Sequence, residues 1–417
     1  MFRSRKTVAT VVGLAAAALA TTAGPAAAAD DARGKSLEAG IEAYQNAYPK
    51  ISLEAATSAA REQEARKELY GFLQKGGEQT FGGATFDPPS GVLRVFATNE
   101  EVAGLAGETG KQLGLNVETS IVKQSFSDLE RQAAALRARK DTLGSYARAY
   151  GGIEVANNRV VIALTPAQQA LVADAAKEAG VTLIDRRTPK TEYDAGCTSR
   201  SACDWTIRAG SMIWTPSAGN NNCSVGFTAR NSANQRYTYT AGHCSSGATL
   251  WGTGLQDIGT LSSARNSGPV DASIIPVTNP WFKFDTGGEI YNEFFPGRTV
   301  AVNSVAPTLS YIWSGDLVCL AANFTSANGP NFCGVVGTNS DPAVRGMVRV
   351  DGLDACPGDS GGGWYWLTPS GRRIAYGIHS RSDVGCHGSG NGSHSWFSAL
   401  PTVKSTYTPS LNVETRP

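Results

Sequence analysis

A chain of 417 residues has room for two or three domains. With a net charge of +1 and 18% charged residues, it offers no overall electrostatic case for a nucleic-acid partner. Its 47 glycines suit many short strands joined by tight turns.

Arg3, Arg5 and Lys6 precede a short apolar stretch from Thr7 to Ala20, and Ala27-Ala28-Ala29 places small residues before Asp30. That pattern predicts an export signal over residues 1–29. A membrane anchor is the competing reading, but a spanning helix needs about 20 apolar residues and this core is shorter. No later stretch is apolar enough to span a bilayer, so a secreted, extracellular protein without membrane association after export is expected.

Residues 30–190 are rich in Ala, Glu, Lys and Arg. Leu53, Ala56, Ala60, Ala65 and Leu69 fall at loose helical spacing and predict a helix over 51–76. A strand is expected at Val92–Phe96, a helix from Asn99 to Leu113, and a strand from Asn116 to Val122. Ser125 to Tyr150 reads as helix, and its charge run Arg131 to Lys140 as a solvated helix face rather than a binding surface. Val160–Leu164 reads as a strand, Thr165-Pro166 as the cap and first turn of a helix ending near Gly180, and Val181–Ile184 as a closing strand. The segment is a small α+β unit without a catalytic constellation. The basic, proline-containing stretch Asp185 to Lys190 then reads as a processing linker.

From about Thr191 the composition changes. Lysine nearly vanishes, and Gly, Ser, Asn and Thr rise around short apolar runs such as Tyr237–Thr240, Ser273–Val277 and Arg373–Ile378. Short strands between frequent turns predict an all-β barrel or sandwich over 191–417. All eight cysteines lie here, between Cys197 and Cys386. An even number confined to one part of an exported chain points to disulfides. The compact paired spacings of a structural zinc site are absent, so no metal is expected, and no cofactor motif is recognised.

A hydrolytic serine needs a base, a group that holds the base, and donors for the oxyanion. Ser360 sits in Gly358-Asp359-Ser360-Gly361-Gly362, a glycine-flanked turn that would project its hydroxyl. The backbone N–H groups of Gly358 and Ser360 are the candidate oxyanion donors. His243, in Thr240-Ala241-Gly242-His243-Cys244, is the candidate base, and Asp271, just before an apolar strand, the candidate orienting acid. Asp257, Asp285 and Asp316 are rivals for that last role. Taken singly, each feature also has a structural explanation: a Gly-rich turn, a histidine beside a disulfide, a solvated turn acid. The order His243, Asp271, Ser360 is that of chymotrypsin and differs from the subtilisin and α/β-hydrolase orders.

On these motifs, together with Gly315–Cys319 and Cys333–Val336, residues from about Cys197 to Val413 resemble the bacterial chymotrypsin-like proteases, the streptogrisins and alpha-lytic protease. The resemblance implies a double six-stranded β-barrel and a monomeric serine endopeptidase acting on protein or peptide substrates. It implies disulfides Cys223–Cys244, Cys319–Cys333 and Cys356–Cys386, leaving Cys197–Cys203 as an extra pair. It further implies that Ser380 hydrogen-bonds the catalytic aspartate, and that residues 30–190 are a pro-region acting as folding catalyst and inhibitor. Two departures follow. No free Ile-Val-Gly-Gly terminus exists to pair Asp359; Ile207-Arg208-Ala209-Gly210 is internal, and Leu320 stands where relatives often carry a basic residue. Arg349 and Arg208 are the cations offered instead.

The substrate pocket is expected around Asp354, His379, Ser380 and Ser382. Asp354 lies two residues before Cys356, where trypsin-like enzymes place the acid that selects Arg or Lys, and this reading is favoured. His379 and Ser380 resemble instead the glutamate-specific streptogrisin, although its two supporting histidines are replaced by Trp364 and Phe397. His387 and His394 lie nearby as substitutes for those two, but are expected instead in an exposed Gly/Ser loop. A third reading places Asp354 outside the pocket, with Asp351-Gly352-Leu353 an insertion. Two other function classes compete with the endopeptidase: a catalytically silent binding protein on the same scaffold, and a serine esterase.

Overall fold

The computed structural model describes residues 25–75, 77–186, 191–193, 207–214, 222–245, 250–253, 256–282, 287–291, 299–323, 332–383, 393–407 and 411–416. The first element among the described residues is helix α1 (Pro25–Ala47), which runs across the expected cleavage position after residue 29. The helix expected over 51–76 is two helices, α2 (Leu53–Arg61) and α3 (Gln63–Lys75). Ser52 caps the first, its Oγ accepting the Ala55 N–H at 3.1 Å.

Strands β1 (Phe81–Asp87), β2 (Val92–Ala97) and β3 (Asn116–Ile121) form one sheet, with α4 (Glu100–Gln112) crossing between the parallel pair β2–β3. The stretch 125–150 is likewise broken into α5 (Phe126–Ala138) and α6 (Thr142–Tyr150). The break has a local cause. Asp141 leaves helical geometry and takes the Gly144 N–H on its side chain, starting a new helix. A second sheet joins β4 (Gly151–Glu154), β5 (Arg159–Leu164) and β6 (Thr182–Asp185). Helix α7 (Pro166–Glu178) starts from a capping box between Thr165 and Gln168, with proline in its first turn.

Strand β7 (Thr191–Tyr193) leads into the β-rich remainder. There β8 (Met212–Trp214), β9 (Asn222–Ser224), β12 (Leu250–Thr253) and β13 (Gln256–Thr260) make a four-stranded sheet in the order β13-β12-β8-β9. Around them β10 (Thr228–Arg230), β11 (Arg236–Thr240), β14 (Ser263–Ser267), β15 (Val270–Pro276) and the C-terminal β25 (Asn412–Val413) run in the order β14-β15-β11-β10-β25. A hairpin of β16 (Glu289–Tyr291) and β17 (Thr299–Ala301) follows. The largest sheet contains β18 (Ser304–Val305), β19 (Leu317–Ala321), β20 (Cys333–Asp341), β21 (Met347–Asp351), β22 (Gly363–Leu367), β23 (Arg373–Asp383) and β24 (His394–Ala399). It also takes in β7, on the edge of β23.

Disulfides join Cys223 to Cys244 and Cys319 to Cys333, and Cys356 is also disulfide-bonded. Cys197, Cys203 and Cys386 lie outside the described residues. One apolar core runs through both parts of the chain, joining Tyr44, Leu69, Tyr70, Phe81 and Phe86 to Trp313, Leu317, Trp364 and Trp366. Removing the N-terminal segment would therefore expose a broad aromatic face on the β-rich part. No helix among the described residues is long and apolar enough to cross a membrane.

Candidate active site

Strand β11 ends at Thr240, and the chain turns at Gly242 to present His243. Gly242 is required by space: a Cβ there would stand 2.0 Å from the Arg265 carbonyl oxygen and 2.9 Å from Asp271 Oδ1. The Cys223–Cys244 disulfide ties the residue after His243 to β9. Asp271 is fully buried in β15, which pairs with β11 on one side and β14 on the other. Two sheet neighbours therefore set the carboxylate against the histidine.

Asp271 Oδ1 accepts the His243 backbone N–H at 2.8 Å, and Oδ2 lies 2.7 Å from His243 Nδ1. Ser380 donates its hydroxyl to the same Oδ2 at 2.5 Å. Burial alone would raise the Asp271 carboxyl, but the facing His243, the Ser380 hydroxyl and Arg381 outweigh it and hold the group below the ordinary carboxylate range. An ionised carboxylate only accepts, so the ring proton sits on Nδ1 and Nε2 is left as an acceptor. His243 Nε2 stands 2.8 Å from Ser360 Oγ. The hydroxyl, the imidazole and the carboxylate thus form one unbroken hydrogen-bonded line, the arrangement that lets a hydroxyl shed its proton as it attacks.

The Ser360 turn is held from both flanking sheets. Ser224 in β9 donates its N–H to the Ser360 carbonyl at 2.7 Å and its hydroxyl to the Gly358 carbonyl at 2.8 Å. From β23, His379 accepts the Gly361 N–H at 2.9 Å and donates its own N–H to Gly362 at 2.8 Å. Gly358 and Gly361 have φ of +100° and +87°, which favour glycine. Asp359 is fully buried and its Oδ2 accepts the Cys356 N–H at 2.8 Å. The cations offered for it hold other acids: Arg208 lies 3.0 Å from Glu289, and Arg349 is 2.7 Å from Asp351.

Asp271 is the acid the fold brings to His243. Its rival Asp257 is exposed on β13, Asp316 pairs with Lys67, and Asp285 lies outside the described residues. Two contributors escaped the sequence reading. Ser398 in β24 accepts the Asp271 backbone N–H at 2.8 Å, and Ser224 braces the Ser360 turn. Neither sits in a motif, and both reach the site only through tertiary packing.

Asp354, six residues before Ser360 in the chain, is buried at 6% exposure. Ser382 donates to the carbonyl of the next residue, Ala355, at 3.0 Å, and Ser395 donates to the carbonyl of Leu353 at 2.9 Å. His379 is fully buried and its Nδ1 accepts the Trp364 indole N–H at 3.2 Å, so the ring proton belongs on Nε2. Phe397 stacks on Trp364 with ring centres 5.5 Å apart. Two apolar rings therefore stand in line behind His379. His394 is not in an exposed loop but begins β24, half-buried 3.1 Å from Asp351. His387 lies outside the described residues. Among the described residues no cluster of His, Cys, Asp and Glu has the makings of a metal site.

No protein-family model matches the chain, and no curated protein does. Solved structures are similar to half of it, and three of them are each covered in full. These three are a Nocardiopsis protease (22% identity, TM-score 0.38), the alpha-lytic protease homolog N4 (23%, 0.38), and a glutamic acid specific serine protease described as using a histidine triad in substrate binding (21%, 0.37). At these identities and scores the likeness assigns no activity to this chain.

Proposed function

We propose that this chain is the precursor of a secreted, monomeric serine endopeptidase, with residues 1–29 as export signal, 30–190 as pro-region and 191–417 as a protease unit of paired β-barrels. The observation that carries this reading is the line Asp271–His243–Ser360, with contacts of 2.7 and 2.8 Å. In it Ser360 Oγ attacks the peptide carbonyl while His243 Nε2 takes its proton, and the backbone N–H groups of Gly358 and Ser360 meet the oxyanion. His243 then protonates the leaving amine, and water repeats the cycle on the acyl-enzyme. Asp271, braced by Ser380 and Ser398, holds the Nδ1 proton throughout, so that Nε2 can take up the serine proton and give it back.

In the uncut chain the junction just after the first segment, strand β7, covers part of the expected substrate edge. Thr191–Tyr193 runs antiparallel along β23 with Tyr193 opposite Arg381 and Glu192 opposite Ser382, occupying the strand edge next to the nucleophile turn. An extended peptide substrate would add to the same edge. For the side chain before the scissile bond, the buried carboxylate of Asp354 favours Arg or Lys, because a cation brought against a buried carboxylate is stabilised where an anion is repelled. A second reading rests on His379, whose Nε2–H is fixed as a donor by Trp364 and would suit an acidic side chain.

A phosphonylating inhibitor should label Ser360 and abolish peptide hydrolysis; an unlabelled but folded chain would leave a silent binding protein. Hydrolysis of esters without peptides would favour the esterase. Cleavage of a peptide library should occur after Arg and Lys and lose that preference in Asp354→Ala, whereas cleavage after Glu would select the His379 reading. Residues 191–417 expressed alone should give little activity, restored by adding residues 30–190.

A further inference from the structure

Helix α3 sends Lys67 into the β-rich part of the chain, where its side chain is only 6% exposed. Its Nζ lies 2.7 Å from Asp316 Oδ2 and donates to the Tyr311 carbonyl oxygen. The same nitrogen sits 4.5 Å from the ring centres of both Tyr311 and Trp313 and 6.0 Å from that of Trp366. Burial pushes Lys67 down to about 8 against the upward pull of Asp316, so at neutral pH the group inside the cage is an ammonium.

Two of the walls, Asp316 and Trp313, have anchors of their own in the β-rich part. Asp316 Oδ2 also accepts the Trp313 backbone N–H at 2.7 Å and the Tyr376 hydroxyl at 3.3 Å, while the Trp313 indole donates to the Ser310 carbonyl at 2.6 Å. Carboxylate, carbonyl and ring faces converge on one point, which suits a compact ammonium better than the wide fork of a guanidinium. The neighbouring Arg66 stays out of the cage and lies 3.8 Å over the Phe86 ring of its own segment.

We infer that Tyr311, Trp313, Asp316 and Trp366 form an alkylammonium-binding site, filled by Lys67 in the full chain and open to a lysine side chain of a protein substrate once the N-terminal segment leaves. The second half of that statement rests on the precursor reading above; the first does not.

The full chain tests the site directly. In a Ser360→Ala background, Lys67→Ala should empty the cage, and n-butylammonium at about ten times its Kd should raise Tm by roughly 2–6 °C. Neutral n-butanol should not, and neither ligand should shift the chain that keeps Lys67 or carries Lys67→Met. Equal effects of the two ligands on Lys67→Ala would overturn the site. Should Lys67→Ala fail to fold unaided, its refolding yield with and without n-butylammonium gives the same comparison. After processing of the otherwise unaltered chain, n-butylammonium should bind by calorimetry, with binding lost in Tyr311→Leu and kept in Asp354→Ala. The reverse pattern, or no binding, would refute the open exosite. If no segment is ever released, the precursor reading fails while the Tm comparison still decides the cage.

Discussion

Replacing Asp271 by Asn keeps the shape of the site and removes its charge, so it isolates what the carboxylate does. The native side chain accepts three donors: the His243 N–H, the His243 ring and the Ser380 hydroxyl. An amide offers one accepting oxygen and one donating nitrogen. If its oxygen faces the ring, its NH2 opposes the His243 backbone N–H. If its nitrogen faces the ring, Nδ1 must accept, and the proton moves to Nε2, where it points at Ser360 Oγ. The first orientation leaves a buried donor unmatched, and the second leaves Ser360 without a base. The matching change in a chymotrypsin-type triad lowers kcat about 10⁴-fold, or about 5 kcal/mol of transition-state stabilisation. Asp271→Asn should therefore lose on the order of 10⁴ in kcat on a chromogenic peptide with KM little changed. Its Tm should fall by only a few degrees, for a cost of about 1–3 kcal/mol. A folded variant that kept more than a tenth of wild-type kcat would refute the role assigned to Asp271.

Three further outcomes are expected. Ser380→Ala removes the hydroxyl that donates to Asp271 Oδ2 and should lower kcat roughly 10-fold, on the scale of about 1.5 kcal/mol for a hydrogen bond to a charged group, with KM unchanged; unaltered kcat would show that the contact is idle. Gly361→Ala would put a Cβ 2.2 Å from Thr240 Oγ1 at a φ of +87°, so urea denaturation should show a loss of at least about 2 kcal/mol along with activity. Glu130, on the helix α5 face toward the β-rich part, is lifted to about 7 by burial and then by Glu78, against the pull of Arg137. Because its folded value lies above its unfolded one, the folded chain holds the extra proton between about pH 4.5 and 7, and stability falls as pH rises through that window. Glu130→Gln should therefore raise Tm at pH 8 by an amount worth up to about 3 kcal/mol and change little at pH 4.5; equal shifts at both pH values would contradict the assignment.

Local chemistry was readable wherever a side chain acts on its own neighbours. Thr165-Pro166 announced a helix start because the capping hydroxyl and the proline act within one turn. The glycines around Ser360 announced a tight turn because positive φ is a property of the residue itself. The stretch 125–150 is helical as its composition predicts, but composition averages over a window and does not show the single Asp141 cap that divides it into two helices.

By itself the sequence determined the residue types, the order His243, Asp271, Ser360, and the confinement of cysteines to the second part of the chain. Tertiary structure alone decided which of several aspartates meets the histidine, since Asp257, Asp271 and Asp316 all precede or follow apolar runs and differ only in what packs against them. It also decided the fate of Lys67, which the sequence offers as one more charge on a helix. Its partner Asp316 is 249 positions away, and no local pattern encodes a contact that exists only because a helix and a distant sheet share one core.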